Sequence, residues 1–463
     1  MNLAETLNLG CLCRTLNPER LRQQLETDPS LQGMLAGLAT THPHLFSETA
    51  VFLDPAIRTT LGQAIAAIEG VIALPAYQQA ALASAPEIAS LNFGPAGVFM
   101  AYDFHLGADG PRLIEINTNA GGALLNAALA RAHRDCCEPM QGLMDAASDL
   151  TRLDDTFVAM FRAEWQAQRG AQPLRSVLIT DDAPESQYLA PEFALARQLL
   201  LAHGITAAVG DARELQWKDG ALWHPALPGE AVDLVYNRLT DFSLAEPAHE
   251  ALRSAYVAGA AVVTPHPRAH ALYADKRNLI ALGDDALLAS WGVSAQDRRL
   301  LQAVVPHTEL VTAAHADDLW ARRRQLFFKP VAGYGAKAAY RGDKLTKSVW
   351  AHITAGGFIA QALVPPSERL VDVDGVPTRL KLDLRAYTYR GQVQLLAART
   401  YTGQTTNFRT AGGGFSPVVV LPLEPNTVRL TVRPELGESS SPCEEASTLR
   451  QTQDRSTSAR ADL

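Results

Sequence analysis

The sequence Arg112-Leu113-Ile114-Glu115-Ile116-Asn117 alternates aliphatic side chains with charged or amide side chains. Successive residues of a β-strand point to opposite faces, so this alternation predicts a strand. Glu115 and Asn117 are expected on one face, and Ile114 and Ile116 are expected to pack on the other. We therefore expect one face of this strand to carry chemistry and the other to join a core.

A second strand precedes this one and is expected to pair with it. It carries Tyr102-Asp103-Phe104, and Gly107-Ala108-Asp109-Gly110 supplies the residues of a hairpin turn. Carboxylate and amide oxygens are the hard ligands that Mg²⁺ takes when nucleotide phosphates fill its other positions. The hairpin therefore predicts a metal-nucleotide site with three ligands, Asp103, Glu115 and Asn117. An ordinary hairpin with its polar residues facing water is the alternative.

Two lysine segments supply the cations that a triphosphate needs. Lys276 opens the periodic apolar run 277–288, which predicts a helix with a cation at its start. Phe327-Phe328-Lys329-Pro330 is a short apolar strand with one lysine on its buried side. The loop Gly333-Tyr334-Gly335-Ala336-Lys337 follows, and its glycines let backbone N–H groups close over an anion. A plain β-turn is the alternative for this loop.

A candidate adenine hinge lies downstream of the lysine strand. The apolar segment 358–364 is predicted to be a buried strand, and Pro365-Pro366 ends it. Backbone groups at such a hinge can bind the edge of a base while apolar side chains enclose its ring. The sequence therefore places a nucleotide pocket beside the lysines.

Two further strands and a polar loop complete the set of candidate site residues. The strands bring Arg385 and Arg399 toward one cleft, and a solvated position at a sheet edge is the alternative for either arginine. Thr406-Asn407-Phe408-Arg409 then precedes Gly412-Gly413-Gly414. A loop with free backbone groups, an amide and a cation suits an acyl or phosphoryl oxyanion.

These segments resemble the ATP-grasp superfamily, whose enzymes join a carboxylate to an amine or similar nucleophile through an acyl phosphate. The segments follow the usual family order, except that the metal strands come first here and last in most of the family. This displaced order resembles the circular permutation of eukaryotic-type glutathione synthetase and of glutathionylspermidine synthetase-like proteins. The matching segments are Asp275-Lys276, Pro306-His307-Thr308, Lys329-Pro330, Ile359-Ala360-Gln361, Asp383-Leu384-Arg385 and Asn407-Phe408-Arg409.

The resemblance implies roles for several of the matching residues. It implies Mg²⁺ and ATP, and it implies small-molecule carboxylate and amine substrates. Arg385 is expected to stabilise the γ-phosphoryl group, and Asn407 and Arg409 are expected near the acyl group. The implied nucleotide-binding residues are Lys276, Lys329, Gly333, Gly335, Gln361, Ala362, Leu363 and Glu368.

The sequence departs from the family pattern at two places. The glycine loop is short and carries Tyr334. Gln361 stands where an acidic residue often contacts the ribose, so Glu368 is predicted to take that role, with a simple loop charge as the alternative. No substrate motif of glutathione synthetase is evident, and glutathione is therefore not predicted as the product.

Composition limits the classes of partner. The net charge is −8, and the sequence has no basic stripe of the kind that binds nucleic acid. Its one dense basic cluster, Arg322-Arg323-Arg324, is more simply explained as a solvated helix end before the Lys329 strand. Charges or prolines interrupt every apolar run before it could cross a bilayer, and no signal peptide is evident, so we expect a cytoplasmic protein without a membrane partner.

No two of the 12 histidines form a spaced metal-binding pair. The cysteines have neither disulfide-framework nor zinc-site spacing; they are Cys11, Cys13, Cys136, Cys137 and Cys443.

The elements predict an α/β protein, and the resemblance implies that it contains a permuted ATP-grasp domain of α+β type. Strands and helices alternate from about residue 174, which predicts a parallel sheet on the substrate side. Asn237 and Arg238, at the end of one of its strands, are candidates for binding a substrate carboxylate or for a structural role. The predicted units are an N-terminal helical region (1–90), the displaced metal strands and helix (91–150), the substrate-side domain (174–270), the nucleotide-binding domain (271–422) and a disordered tail (435–463).

The leading hypothesis is an ATP-dependent carboxylate–amine ligase that acts through an acyl phosphate. A kinase or phosphotransferase with the same fold is a second hypothesis. A non-catalytic nucleotide-binding protein is a third. The identities of the acid and the amine stay open, and so does the oligomeric state.

Overall fold

The computed structural model describes residues 2–107, 109–133, 150–333 and 338–421. The strands of these residues are β1 Val51–Leu53, β2 Met100–Gly107, β3 Gly110–Asn117, β4 Ser176–Asp181, β5 Thr206–Asp211, β6 Gln216–Lys218, β7 Ala221–Trp223, β8 Leu234–Asn237, β9 Val262–Thr264, β10 Thr308–Leu310, β11 Leu326–Pro330, β12 Tyr340–Arg341, β13 Phe358–Ala362, β14 Ser367–Val373, β15 Val376–Tyr389, β16 Gln392–Tyr401 and β17 Gly414–Val420.

Helices cover the sheets on their outer faces. They are α1 Leu3–Gly10, α2 Pro18–Leu25, α3 Met34–Thr41, α4 Pro55–Ile72, α5 Pro75–Leu82, α6 Ala123–Ala132, α7 Leu153–Arg169, α8 Ala190–Ala202, α9 Glu250–Val257, α10 Pro267–Ala269, α11 Asn278–Leu282, α12 Asp285–Ser290, α13 Ala295–Val304, α14 Ala316–Ala321 and α15 Lys347–Thr354. A π-helix, His270–Ala274, joins α10 to the lysine segment. No single helix of the described residues is long and apolar enough to cross a membrane, although the bent pair α4 and α5 passes that test when taken together.

The largest sheet brings together strands from both ends of the chain. Its strand order is β1-β17-β16-β15-β2-β3, and β14 pairs with the first half of β15 while β2 pairs with the second half. The hairpin formed by β2 and β3 therefore completes a sheet whose neighbouring strands come from residues 367–420. This pairing puts the predicted metal strands beside the predicted arginine strands.

Alternation along β2 gives the large sheet two different faces. Tyr102 and Phe104 are buried in the core that α4 covers, together with Leu384 of β15. Ala101 packs into a second core on the opposite face, where α6 and α7 lie. Asp103 lies on the same face as Ala101, because the two residues are two positions apart in the strand. The acidic residue thus lies on the face opposite α4.

A β-bulge in β3 makes one sequence prediction wrong. Asp103 lies opposite Glu115, but the next residue, Phe104, lies opposite Leu113, so Ile114 is an extra residue in β3. The bulge shifts the alternation, and Leu113 rather than Ile114 joins Ile116 in the buried core. The predicted common face for Ile114 and Ile116 therefore does not exist.

A second, antiparallel sheet has the order β10-β13-β11-β12. Phe328 and Ala360 on one of its faces pack with Leu319 of α14 and Ile353 of α15. The opposite face of β11 carries Lys329, which reaches the hairpin of the large sheet. The two sheets therefore meet at the lysine strand.

The third sheet is parallel, with the order β5-β4-β8-β9, as the alternation of strands and helices predicts. All six residues of β4 are buried, which is typical of a strand covered by helices on both faces. Gly204 has φ 76° after α8, a left-handed backbone that favours glycine and ends the helix.

The N-terminal region is mainly helical but also contains a strand that the sequence pattern did not predict. β1 pairs in parallel with β17 and extends the large sheet at its edge. The helix predicted after the metal strands, within the unit 91–150, ends in the structure at Ala132. Residues 134–149 of that unit lie outside the described residues, and so do Cys136, Cys137, Cys443 and the predicted tail 435–463. The predicted domain limits stay a prediction.

Arg369 of β14 ties the N-terminal region to the large sheet. Its side chain is fully buried, and its Nε donates to the carbonyl of Ala50 at 2.9 Å. Its Nη1 donates to the carbonyls of Asn8 and Cys11 at 3.1 and 2.6 Å. Removing this guanidinium would leave several buried carbonyl groups without their charged donor.

We expect Arg369→Met to lower the free energy of unfolding by about 3 kcal/mol or more, because charge-assisted hydrogen bonds contribute roughly 1.5–3 kcal/mol each. Arg379→Met is the matched control, since Arg379 is an exposed residue that pairs with exposed Glu368 and should cost about 1 kcal/mol or less. Urea unfolding followed by circular dichroism measures both. Equal midpoints for the two variants would contradict the structural role of Arg369.

Candidate functional site

Charged residues from four adjacent strands lie side by side on one face of the large sheet. Arg385 of β15 lies opposite Asp103 of β2, and Asp103 lies opposite Glu115 of β3. Asp383 lies opposite Arg399 of β16. Residues 383 and 385 share a face because they are two positions apart. The strand register thus gathers acidic and basic side chains that are far apart in the sequence.

Two arginines hold Asp103 from the same side. Arg385 donates from Nε and Nη2 to the two carboxylate oxygens, at 2.7 Å each. Arg399 Nη2 donates to Oδ2 at 2.9 Å, and its Nε donates to Asp383 Oδ1 at 2.7 Å. Asp103 is 2% exposed. Burial raises the pKa of Asp103, but the two guanidinium groups outweigh burial and hold that pKa well below its usual range.

Glu115 and Asn117 lie beside this pair and are more open to solvent. The amide nitrogen of Asn117 donates to Asp103 at 3.0 Å and to Glu115 at 3.3 Å. Lys276 Nζ lies 3.8 Å from Glu115 Oε2. Burial raises the pKa of Glu115, but the positive charges of Lys276, Lys329 and Arg399 together hold that pKa below its usual value. Glu115 is therefore an ionised carboxylate between two cations.

Lys329 enters the site from the second sheet. Its Nζ donates to the backbone carbonyl of Ile114 at 2.8 Å and to Gln361 Oε1 at 2.9 Å. The bulge at Ile114 presents that carbonyl to the lysine. Burial, together with the repulsion from Lys276, lowers the pKa of Lys329 to about 8. The amide nitrogen of Gln361 is buried and has no hydrogen-bond partner among the described residues, so it is a donor available to a bound molecule.

The predicted hinge runs across the opening between the two sheets. The backbone N–H groups of Ala362 and Leu363 donate to the carbonyls of His307 and Gln325, both at 2.8 Å, so both donors are used within the protein. His105 Nδ1 donates to the carbonyl of Val364 at 2.8 Å. This contact fastens the hinge to the hairpin of the large sheet.

Comparison with solved structures identifies the fold. A glutathione synthetase-like effector, GSS30 from Globodera pallida, solved in its apo form, matches with a TM-score of 0.51 and 12% sequence identity, over 88% of this chain and 98% of that chain. The chain has an ATP-grasp-related fold. The predicted α/β class and the predicted resemblance in fold are thereby confirmed, whereas the circular permutation stays a prediction.

Two other solved structures match less well. A gamma-glutamylcysteine synthetase candidate from Methylobacillus flagellatus has a TM-score of 0.43 and 9% identity, over 77% of this chain and 84% of that chain. The ATP-grasp ligase PsnB, complexed with a minimal precursor, has a TM-score of 0.29 and 15% identity, over 53% of this chain and 90% of that chain. No protein-family model and no curated protein matches the sequence.

Within this ATP-grasp-related fold, the lysine segment and the glycine loop touch. Lys276 precedes α11, which begins at Asn278 and ends at Leu282, so the predicted continuous helix 277–288 is divided in two. Lys276 Nζ donates to the carbonyl of Gly333 at 3.0 Å. Gly335 lies outside the described residues.

The loop that carries Asn407 uses its polar groups locally. Asn407 donates to the carbonyl of Thr402 at 2.8 Å and accepts from the backbone N–H of Arg409 at 3.0 Å. Arg409 is exposed. Thr406 donates to Asp383, which also accepts from Arg399. The loop is therefore joined to the charged face through Thr406, whereas Asn407 shapes the loop itself.

Glu368 lies on the same sheet face as the arginines but near its edge. It lies opposite Lys381 in β14–β15 pairing and forms an exposed ion pair with Arg379 at 3.1 Å. Its predicted contact with a ribose stays a prediction. An ion pair between exposed side chains binds weakly, so Glu368 can exchange Arg379 for another partner at little cost.

The substrate-side candidates serve structural contacts. Asn237 is buried, donates to the carbonyl of Pro265 at 3.2 Å and accepts from the backbone N–H of Leu239 at 3.1 Å. Arg238 is also buried, and its Nη1 donates to Asn119, two residues beyond the end of β3. This last contact joins the parallel sheet to the hairpin that carries the predicted metal ligands.

Sequence reasoning gave no role to His105, Asp383 or Thr406. The position of His105, two residues after Asp103 on an alternating strand, is a signal that places both side chains on one face. Asp383 has the same relation to Arg385. No local pattern could show that Thr406 contacts Asp383, because that contact depends on the path of the loop.

We expect Asp103→Asn to lower the free energy of unfolding at pH 7 by about 3–5 kcal/mol, because it leaves two buried arginines without their shared carboxylate. Asp109→Asn is the control, since Asp109 lies in the same hairpin with a side chain that is 87% exposed. Urea unfolding measures the two variants.

The same substitution has an expected pH dependence. The pKa of Asp103 is lower in the folded protein than in the unfolded chain. Its stabilising effect is therefore complete above the unfolded pKa of about 3.9 and is lost as the pH falls further. The difference between native protein and Asp103→Asn should narrow below about pH 4. A constant difference between pH 7 and pH 3 would contradict this assignment.

Proposed function

We propose that this chain is an ATP-dependent ligase that joins a carboxylate to an amine, with Mg-ATP bound between the large sheet and the β10–β13 sheet. The observation that carries the proposal is the meeting of Lys329 from one sheet with the Ile114 carbonyl of the other, beside Glu115 and Asn117. Buried lysines facing an ionised carboxylate and an amide form the kind of surface that a metal-bound triphosphate requires. The ATP-grasp-related fold supports the same proposal.

The donor set fits a magnesium ion at Glu115 and Asn117. These residues offer a carboxylate and an amide oxygen, and neither side chain is fully buried. Asp103 is the third predicted ligand, but both of its oxygens accept from arginines. It would have to exchange an arginine contact for the ion. Mg²⁺ held by Glu115 and Asn117 would neutralise charge on the phosphates.

The nucleotide would lie along the second sheet. Lys276 and Lys329 would bind phosphate oxygens, since both are buried cations on elements other than the metal hairpin. The free amide nitrogen of Gln361 would donate to the nucleotide, and the hinge residues Ala362 and Leu363 would lie against the base. The predicted nucleotide contacts of Gly333, Gly335 and Glu368 are part of this proposal.

The chain's own charges account for the proposed reaction without a protein nucleophile. The substrate carboxylate attacks the γ-phosphorus of ATP, the bond to the β-phosphate oxygen breaks, and an acyl phosphate and ADP form. The amine then attacks the acyl carbon, loses a proton, and releases phosphate. Arg385 would stabilise the transferring phosphoryl group, with Asn407 and Arg409 beside the acyl group. Arg385 would leave Asp103 to do so, while Arg399 keeps that carboxylate paired.

We further propose the predicted circular permutation and domain organisation. The hairpin 100–117 is followed, later in the chain, by the strands with which it pairs. This arrangement supports the permutation because the metal strands precede the lysine strands and still reach them. Small carboxylates and amines as partners, and a cytoplasmic location, belong to the same proposal.

We expect ATP to bind the native protein only weakly without Mg²⁺ and to bind at least about tenfold more tightly with it, which is about 1.4 kcal/mol. Glu115→Gln should abolish most of this magnesium effect, because it removes one ligand charge. Calorimetric titration measures both, and Asp109→Asn is the control in the same hairpin. Equal magnesium dependence in native protein and Glu115→Gln would remove Glu115 from the site.

Turnover distinguishes the ligase from its alternatives. Incubation with mixtures of acids and amines should release ADP and free phosphate in equal amounts for the correct pair. A phosphorylated organic product that persists in the presence of amines would indicate a kinase. Nucleotide binding without ADP release for any acceptor would indicate a binding protein.

The lowered pKa of Lys329 predicts that ATP binding depends on pH. The folded pKa of Lys329 is about 8, so the side chain is charged below that pH and neutral above it. A phosphate requires the charged form, and ATP affinity should therefore fall about tenfold between pH 7 and pH 9 at saturating Mg²⁺. Lys329→Arg keeps its charge over this range and should show a flat profile. Native binding that is constant between these pH values would contradict the assignment.

A further inference from the structure

A second cluster of metal-binding side chains lies at the parallel sheet, away from the charged face of the large sheet. β4 ends at Asp181, and Asp182 follows it directly. The segment between β8 and α9 supplies Asp241, Glu246 and His249. The order β5-β4-β8-β9 makes the carboxyl ends of β4 and β8 a switch point, where crevices form in open parallel sheets.

The side chains of Asp182, Glu246 and His249 converge on a small volume. One donor atom from each lies within 4.8 Å of the other two. His249 Nε2 lies 3.0 Å from Asp182 Oδ1. Ligands that hold one ion at about 2.0–2.2 Å are roughly 3–4 Å from each other, so these separations suit a shared ion with little movement.

The other nitrogen of His249 is held by a buried carboxylate. Nδ1 lies 2.9 Å from Asp241 Oδ2, which also accepts from the backbone N–H of Glu246 at 2.8 Å. The side chains of His249 and Asp241 are 1% and 6% exposed. A carboxylate that accepts a hydrogen bond from Nδ1–H keeps the proton on Nδ1 and leaves the lone pair on Nε2, which is the arrangement found behind metal-binding histidines.

We propose that Asp182, Glu246 and His249 bind a divalent transition-metal ion of the zinc type, with Asp241 orienting the histidine. One imidazole and two carboxylates suit Zn²⁺ better than Mg²⁺, which prefers oxygen ligands alone. The competing arrangement is a doubly protonated His249 between two carboxylates, without any ion. Metal binding distinguishes the two because a proton on Nε2 blocks coordination.

A bound ion would join two loops at the edge of the parallel sheet. One loop follows β4 at Asp182, and the other precedes α9. Three protein ligands leave a further coordination position for water or for an oxygen of a small molecule. The same edge holds Arg238, which contacts Asn119 next to the metal hairpin. The ion would therefore stabilise the side of the parallel sheet that faces the proposed ligase site.

Zinc titration of the full chain tests this inference independently of ATP. The titration is done calorimetrically with Mg²⁺ in excess, so that Mg²⁺ competes with zinc for the site at Glu115 and Asn117. We expect one equivalent of zinc to bind and to raise the melting temperature. Glu246→Gln should weaken binding at least about tenfold without loss of the fold, because Glu246 is exposed and its backbone N–H is retained.

Two further variants and one control make the result decisive. Asp241→Asn should weaken zinc binding by about 10–100-fold through the orientation of His249, and His249→Gln should abolish it. Glu230→Gln changes an exposed carboxylate in the same unit and should leave binding unchanged. The inference is overturned if native protein binds no zinc, or if Glu246→Gln and Asp241→Asn bind it as native protein does.

Discussion

The carboxylate of Asp103, held between Arg385 and Arg399, is the interaction on which the large sheet and its charged face depend. A single buried carboxylate with this many donors is ionised, and its two arginines are ionised with it. The three residues come from β2, β15 and β16, so the ion pairs form only when the hairpin 100–117 pairs with the later strands. The ion pairs therefore form only in the correct strand register. A shift of β2 by one residue against β15 would leave both arginines buried without a carboxylate partner.

The lysines of the site illustrate the cost of burying a cation. Lys329 is buried, and burial lowers its pKa because the charged ammonium group is less stable there than in water. A backbone carbonyl at the bulge and the Gln361 side chain offset part of that cost. A bound phosphate would offset it further. We infer that the bulge at Ile114 serves the site, since a regular strand would not place an extra carbonyl beside the lysine.

Alternation and proline stops are local properties, and for this reason they predicted the strands that carry the site residues, which are β2, β3, β11, β13, β15 and β16. The sequence predicted that Arg385 and Arg399 approach one site, and both contact Asp103. It failed for Ile114, since a bulge depends on the pairing partner, and it missed β1, whose three residues are too few to show a period. Contacts such as Thr406 with Asp383 depend on a loop path that no periodicity encodes.

The proposed zinc site at Asp182, Glu246 and His249 also could not be predicted from local sequence patterns. Asp182 and His249 are 67 residues apart in the sequence, and neither belongs to a spaced ligand motif. They meet because parallel strands put their carboxyl ends at one edge, and because the loop before α9 returns to that edge. The buried hydrogen bond of His249 to Asp241 then selects which nitrogen faces the carboxylates. Topology brings the ligands together, and a neighbouring carboxylate sets their chemistry, just as the two arginines set the ionisation of Asp103 in the large sheet.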